Sequence, residues 1–233
     1  ANPEDFAGVP NAMPAVTLEQ TALLAVQAAG AKIGNPLQMI VTRSGELKSQ
    51  AENIRADLKP TQKYLRGLYT GGTLCYEAQV IWRDMLETPV FSNAPLRKEN
   101  QMADSLISSG NCTIDLGEEE FTVGRPHPMI DNDLRIRRLL QEARDPSVAV
   151  IIMDVVLGYG AHPDPASELG PAIQKAKQIA QNDGRELPVV LSVTGTEEDP
   201  QVLSQQINTL KASGAIVCES NAMAAQLAGF VVA

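Results

Sequence analysis

Leu65-Arg66-Gly67-Leu68-Tyr69, then Thr70-Gly71-Gly72-Thr73, then Leu74-Cys75-Tyr76-Glu77-Ala78 is the stretch that decides how this 233-residue chain is read. Residues 65–69 form a short apolar strand, the two glycines a turn, and the rest opens a helix over 73–87. Leu74, Ala78, Ile81 and Met85 recur there at helical spacing. A turn of this kind aims free backbone N–H groups at whatever sits above it, and the helix adds the positive end of its dipole. Phosphate is the usual guest. The same residues also fit a glycine turn that only joins strand to helix, and the local sequence leaves both readings open.

Outward from this stretch the alternation continues. A strand near Val90-Phe91-Ser92 follows a proline, and Cys112-Thr113-Ile114-Asp115-Leu116 reads as another. The segment 93–110 between them reads as loop plus helix. The run 148–157 is apolar on both faces, as a central parallel strand should be. Strands 187–193 and 215–218 follow, with helices expected over 131–143, after Asp164-Pro165, after Asp199-Pro200, and over 220–229. Five strands alternating with helices across 64–233 fit a parallel, flavodoxin-like three-layer α/β layout. Ligands of such sheets bind beyond the carboxyl ends of the strands, which brings segments 70–73, 124–128 and 158–164 to one rim.

Residues 1–60 lack this rhythm and read as a mainly helical appendage, or the tail of a preceding domain, beside a domain at 61–233. Residues 1–16 read as a loop. Thr17 and Gln20 form a capping box that opens a helix to about Gly30. Segment 36–42 reads as a short strand or buried segment, and 44–58 as a charged helix stopped by Lys59-Pro60. The polar start Ala1-Asn2-Pro3-Glu4-Asp5, with no methionine, suggests a piece of something longer.

A net charge of −9 disfavours a nucleic-acid backbone or an anionic membrane as the main partner. It leaves room for a small anionic ligand, because a local nest of N–H groups can outweigh global charge. Three scattered cysteines, Cys75, Cys112 and Cys218, form neither a metal pair nor a disulfide framework and fit core thiols in a reducing cytoplasm. No apolar run is long enough to span a bilayer, and no secretory signal is present. No metal constellation is visible, and Glu118-Glu119-Glu120 reads as a solvated face.

Among the rim residues, Arg125 and His127 stand in Gly124-Arg125-Pro126-His127-Pro128, a loop stiffened by two prolines. Arg125 suits an anion clamp, and His127 a proton carrier or phosphate contact. The alternative is a stiff loop that merely caps the fold. His162 reads first as an exposed loop residue. Asp154, a carboxylate within an apolar strand, requires a partner and is expected to bind backbone N–H groups of a neighbouring loop. Asp131, Asp164 and Asp199 are expected as helix caps.

Thr70-Gly71-Gly72-Thr73-Leu74-Cys75-Tyr76-Glu77 resembles the Ser-Gly-Thr-Leu-Thr-Tyr-Glu segment of the succinyl-CoA synthetase α subunit. The stretch 148–160, Pro188-Val189-Val190, Gly195-Thr196 and Ser213-Gly214 resemble the carboxy-terminal domain of the β subunit. Residues 67–74, 123–131 and 193–197 are similar to motifs of the FdrA-like acyl-CoA synthetase homologues. The resemblance, over about residues 60–233, implies acyl transfer through a phosphorylated intermediate, with Thr70, Gly71, Gly72 and Thr73 holding the phosphate and Arg125 and His127 acting on it. It implies CoA and a nucleotide (ATP or ADP with Mg) held mainly by a CoA-binding-like domain upstream, a small anionic substrate, and pairing with itself or other subunits. One departure stands out. The synthetase phosphohistidine lies in Gly-His-Ala-Gly, and no such segment occurs in this chain, which has two histidines. Some FdrA-like proteins are associated with oxamate carbamoyltransferase, which handles carbamoyl phosphate without CoA, and that function stands as an alternative. A non-catalytic assembly module is the third.

Overall fold

The computed structural model describes residues 8–233. Of the loop expected over 1–16, residues 1–7 therefore lie outside the described residues, while 8–16 carry no helix or strand. Two helices open the described chain, α1 (Leu18–Ala28) and α2 (Pro36–Ala56). Then come β1 (Tyr64–Tyr69), α3 (Gly72–Met85), β2 (Val90–Ser92), β3 (Asn111–Asp115), a single turn α4 (Glu119–Thr122) and α5 (Asp133–Glu142). The chain ends with β4 (Val148–Val156), α6 (Pro165–Asn182), β5 (Val189–Thr194), α7 (Leu203–Ala212), β6 (Ile216–Cys218) and α8 (Asn221–Val232).

The six strands are all parallel, in the order β2-β3-β1-β4-β5-β6. The expected α/β three-layer architecture is what forms. Each of the six strands read from the sequence forms, three-residue β2 included as an edge, so the layout counted as five has six. Without that edge strand the remaining order is the flavodoxin-like one, with β1 flanked by β3 and β4.

Alternate residues of each strand feed two cores, as the two-residue strand period requires. Leu68, Ile151, Met153, Val189 and Leu191 pack under α5, α6 and α7. Leu65, Tyr69, Val150, Ile152 and Val190 pack under α3 and α8, where Trp82 is fully buried and its indole N–H donates to the Ala225 carbonyl at 2.7 Å. α2 lies outside this second layer and contributes Leu47 and Ala51 to it. Arg55 reaches from α2 to the carbonyls of Val231, at 3.2 Å, and Ala233, at 2.7 Å, satisfying the end of α8.

Three expectations fail here. Segment 36–42 is the first part of α2, not a strand. Asn35 caps it by accepting from the N–H groups of Leu37 and Gln38, Pro36 takes the first helical position, and Leu37 and Val41 are exposed. Asp199 does not cap α7. Its carboxylate accepts from the Thr196 N–H at 2.6 Å, closing a turn, and the chain then passes through left-handed Val202 (φ 57°) before the helix begins. Asp131 does not cap α5 either: Asn132 holds the cap position without a side-chain bond, and Asp131, one residue earlier, accepts from Asp133 N–H at 2.8 Å. The caps at Thr17, accepting from Gln20 N–H at 3.1 Å, and Asp164, accepting from Ser167 N–H at 3.3 Å, form as expected.

Candidate functional site

β1 lies between β3 and β4, and the chain leaves it toward one edge and later returns on its other side. That reversal makes the carboxyl ends of these three strands the topological switch point of the sheet, where a crevice opens. Residues 70–73 leave β1 there, Leu116-Gly117 leave β3, and Leu157-Gly158 leave β4.

The floor of the crevice is a buried polar cluster. Thr70 is buried; its N–H donates to Asp154 Oδ1 at 2.9 Å and its hydroxyl to Asp154 Oδ2. Arg135, buried on α5, donates to the Asp154 carbonyl and, at 3.4 Å, to Oδ1. Burial pulls the Arg135 guanidinium below its usual pKa, and the Asp154 carboxylate opposes that fall. Asp154 thus finds the backbone partner that its burial demanded, and both polar groups of Thr70 are spent on it.

Above this floor the donors are free. Gly71 is extended (φ −173°, ψ 161°) and gives α3 no side-chain cap. The first backbone bond of the helix runs from Cys75 N–H to the Gly71 carbonyl at 3.4 Å. The N–H groups of Gly71, Gly72, Thr73 and Leu74 meet no acceptor among the described residues. Gly72 and Thr73 are exposed to solvent. A 14-residue helix aims its dipole at the same point.

Asp115, the last residue of β3, faces these amides. Its side chain is only 3% exposed. Oδ1 accepts from Gly117 N–H at 2.8 Å, and Oδ2 stands 3.1 Å from where a β-carbon on Gly72 would lie. Burial pushes the Asp115 carboxyl above its usual pKa, with Glu118 and Asp154 adding to the rise and the Gly117 N–H and His127 opposing it. The main chain of Asp115 is held on both sides by Asn93, whose Oδ1 accepts its N–H and whose Nδ2 donates to its carbonyl, each at 2.9 Å.

The proline loop delivers His127 to this place. A β-carbon on Gly117 would stand 2.8 Å from His127 Nε2, 3.1 Å from Asp115 Oδ1 and 2.6 Å from the Thr70 carbonyl, so only glycine lets the three meet. His127 Nδ1 accepts from the Met129 N–H at 3.2 Å, which leaves the ring proton on Nε2. Arg125 is exposed on the outer side of the same loop. His162 is held elsewhere on the rim: Nδ1 accepts from Asp164 N–H at 3.1 Å and Nε2 lies 3.3 Å from Glu168. Its main-chain N–H donates to the Met129 carbonyl at 2.7 Å, tying the loop after β4 to the proline loop.

Beside the free amides a cleft of about 700 Å³ runs between α1 and α3, lined by Val16, Leu18, Thr73, Tyr76 and Glu118 among others. Buried Glu77 holds its walls in register, accepting from Leu18 N–H at 2.6 Å and from Asn221 Nδ2 at 2.8 Å. No group of three or more His, Cys, Asp or Glu side chains arranged to hold a metal ion occurs among the described residues. No helix among them is long and apolar enough to cross a membrane. All three cysteines are free and buried, and burial lifts the Cys75 and Cys218 thiols to about 12.

The structure thus sets Gly71, Gly72 and Thr73 at the head of α3 and His127 against Gly117 across the crevice, directs Thr70 downward, and leaves Arg125 at the periphery. Asp115 and Gly117 are the site residues that motif reading misses. Their signal is positional: an acid ending a parallel strand, followed within two residues by glycine, at the rim where ligands bind.

A sequence model of the CoA-ligase family matches residues 68–231, a span that contains the whole crevice. The chain belongs to the CoA-ligase family. Within this CoA-ligase chain, 169 residues are 44% identical to the uncharacterized protein YahF of Escherichia coli (strain K12). That alignment covers 72% of the chain but 33% of YahF, so the chain spans about a third of the length of this curated relative.

Proposed function

We propose that this chain is the phosphoryl-holding portion of an FdrA-like acyl-CoA synthetase homologue, which moves an acyl group through a phosphorylated intermediate. One observation carries the reading: four consecutive amides, those of Gly71, Gly72, Thr73 and Leu74, stand unbonded at the head of α3 in the switch-point crevice. Such amides suit a tetrahedral dianion and have no other employment in the fold. His127, with its proton on Nε2, lies within reach of the same space as donor to a phosphoryl oxygen or leaving group. Arg125, on a loop stiffened by prolines, supplies mobile positive charge at the rim. The donor set fits a phosphoryl group, the part that acyl phosphates and nucleotides share; CoA and the nucleotide would be held mainly by a portion of the protein outside this chain. The cleft beside Thr73, lined in part by Val16, Leu18 and Tyr76, gives the acyl part a place adjoining the anion.

The test is direct binding. Amide resonances of Gly71, Gly72, Thr73 and Leu74 should shift on titration with inorganic phosphate or acetyl phosphate, with those of β6 unmoved. Unperturbed amides at saturating phosphate would refute the cradle. Assay of the longer protein for acyl-CoA synthesis beside carbamoyl transfer from oxalurate then separates a CoA-dependent reaction from a carbamoyltransferase. Binding without either activity points to an assembly role.

A further inference from the structure

A cycle that carries the phosphoryl group on the protein needs a side chain to bear it, and neither histidine is placed to do so. His127 Nδ1 is engaged by the Met129 N–H, which puts the proton on Nε2 and leaves no lone pair for attack on phosphorus. His162 has Nδ1 on the Asp164 N–H and Nε2 opposite Glu168. Asp115 differs on every count. It is nine-tenths buried and more, its Oδ1 is oriented by Gly117 N–H, and no hydrogen bond reaches Oδ2 among the described residues. That oxygen faces the head of α3: it is the one heavy atom within 4 Å of a β-carbon placed on Gly72, at 3.1 Å.

We propose that Asp115 Oδ2 is the phosphoryl acceptor of this domain and that its donor is an acyl phosphate. The carboxylate oxygen attacks phosphorus, the bond from phosphorus to the acyl oxygen breaks, and the acyl carboxylate leaves with the electron pair. One acyl phosphate is exchanged for another, so no proton moves and no further reactant is needed. The new phosphoryl group lies against the amides of residues 71–74, which neutralise its charge without rearrangement. Aspartate serves as a covalent phosphate carrier in other enzymes, so the chemistry is within the reach of the side chain. Burial helps in a second way: an ionised carboxylate held from water is a better nucleophile than a solvated one. The inference rests on the anion-cradle reading above.

The experiment is incubation of the chain with acetyl phosphate and magnesium, followed by intact mass measurement. The expected result is one added phosphoryl group, removed by hydroxylamine as acyl phosphates are. Asp115→Asn should gain none while keeping the phosphate-induced shifts at residues 71–74. Borohydride reduction of the phosphorylated wild-type chain should convert residue 115 to homoserine, a mapping that does not depend on how the variant folds. A wild-type chain that gains no phosphoryl group, an adduct retained by Asp115→Asn, or one that maps to His127 overturns the proposal. Absence of adduct with the phosphate shifts intact removes the role of Asp115 alone; absence of both removes the cradle as well.

Discussion

The two ends of the sheet handle buried charge in opposite ways. At the amino end, every nitrogen of Arg66 is used: Nε on Glu142 and Nη2 on Asp145, each at 2.9 Å, and Nη1 on the carbonyls of Leu65 and Gly110. Arg138 and the Ser108 hydroxyl complete Glu142, both at 2.6 Å. Burial alone would lower the Arg66 pKa, yet Cys112, Glu142 and Asp145 hold it above its usual value. At the carboxyl end, four amides, Asp115 Oδ2, Arg135 Nε and the Tyr69 hydroxyl lack partners among the described residues, against Arg185 Nε in the amino-end network. Buried polar groups left unpaired cost free energy, so a fold tolerates them where they serve another purpose. The amino end therefore reads as structure and the carboxyl end as function.

The sharpest way to break this contrast is to empty the better-satisfied end. Glu142→Ala removes the carboxylate that two buried arginines, Arg66 and Arg138, share, and should cost about 3–5 kcal/mol of unfolding free energy. Denaturant titration measures it, and a loss under about 1 kcal/mol would put the network on a par with a surface pair. At the open end, Gly72→Pro removes one donor at the first helical position. The extended Gly71 before it accepts proline, so the helix should survive, although the ring will press on Asp115. Because a hydrogen bond to a charged group contributes about 1.5–3 kcal/mol, phosphate affinity should fall at least tenfold by calorimetry. Unchanged affinity would show that the amides do not hold the anion.

Asp115→Asn separates function from stability. Burial raises the pKa of this carboxyl in the folded chain, so the unfolded state binds fewer protons than the folded one across the window between the two pKa values. The contribution of Asp115 to stability is fully present below its unfolded pKa and is lost as pH rises through the folded one. At neutral pH the variant should therefore melt slightly above the wild type, and the gap should close as pH is lowered into the carboxylate range. A variant less stable than wild type at neutral pH would mean that the carboxylate is needed to hold the crevice together.

How much of this was legible varies by residue. The run 148–157 announces a central strand because it is apolar on both faces, and Gly71-Gly72 announces the turn into α3. Segment 36–42 misleads, because Leu37, Met39, Ile40 and Val41 look like buried strand while Leu37 and Val41 in fact face solvent. Asn35-Pro36 carries the better signal, the same cap-then-proline device as Asp164-Pro165. Asp199-Pro200 shows the limit of that device, since its carboxylate closes a turn instead. Asp154 can be flagged as a buried acid in need of a partner, but Thr70, 84 residues away, and Arg135 are brought to it only by the sheet and by α5. Asp115 escapes motif reading for a related reason. Its importance comes from facing the head of α3 across the β1–β3 register, where Tyr69 pairs with Asp115.

The smallest effect tests the periphery of the comparison. Arg125 is exposed, and its main-chain N–H, not its side chain, is what ties it to Thr122 at 3.1 Å. Arg125→Ala should leave the melting temperature unchanged within error, as surface substitutions usually shift stability by less than about 0.5 kcal/mol. If the guanidinium swings over a bound anion, affinity for phosphate should drop by about 0.2–1 kcal/mol at low salt, the range of an exposed ion pair. That loss should vanish at high ionic strength, because a solvent-exposed contact is screened. The loss caused by Gly72→Pro should persist there, since the amides approach the anion directly. A salt-independent loss in Arg125→Ala would move Arg125 from the rim into the cradle itself.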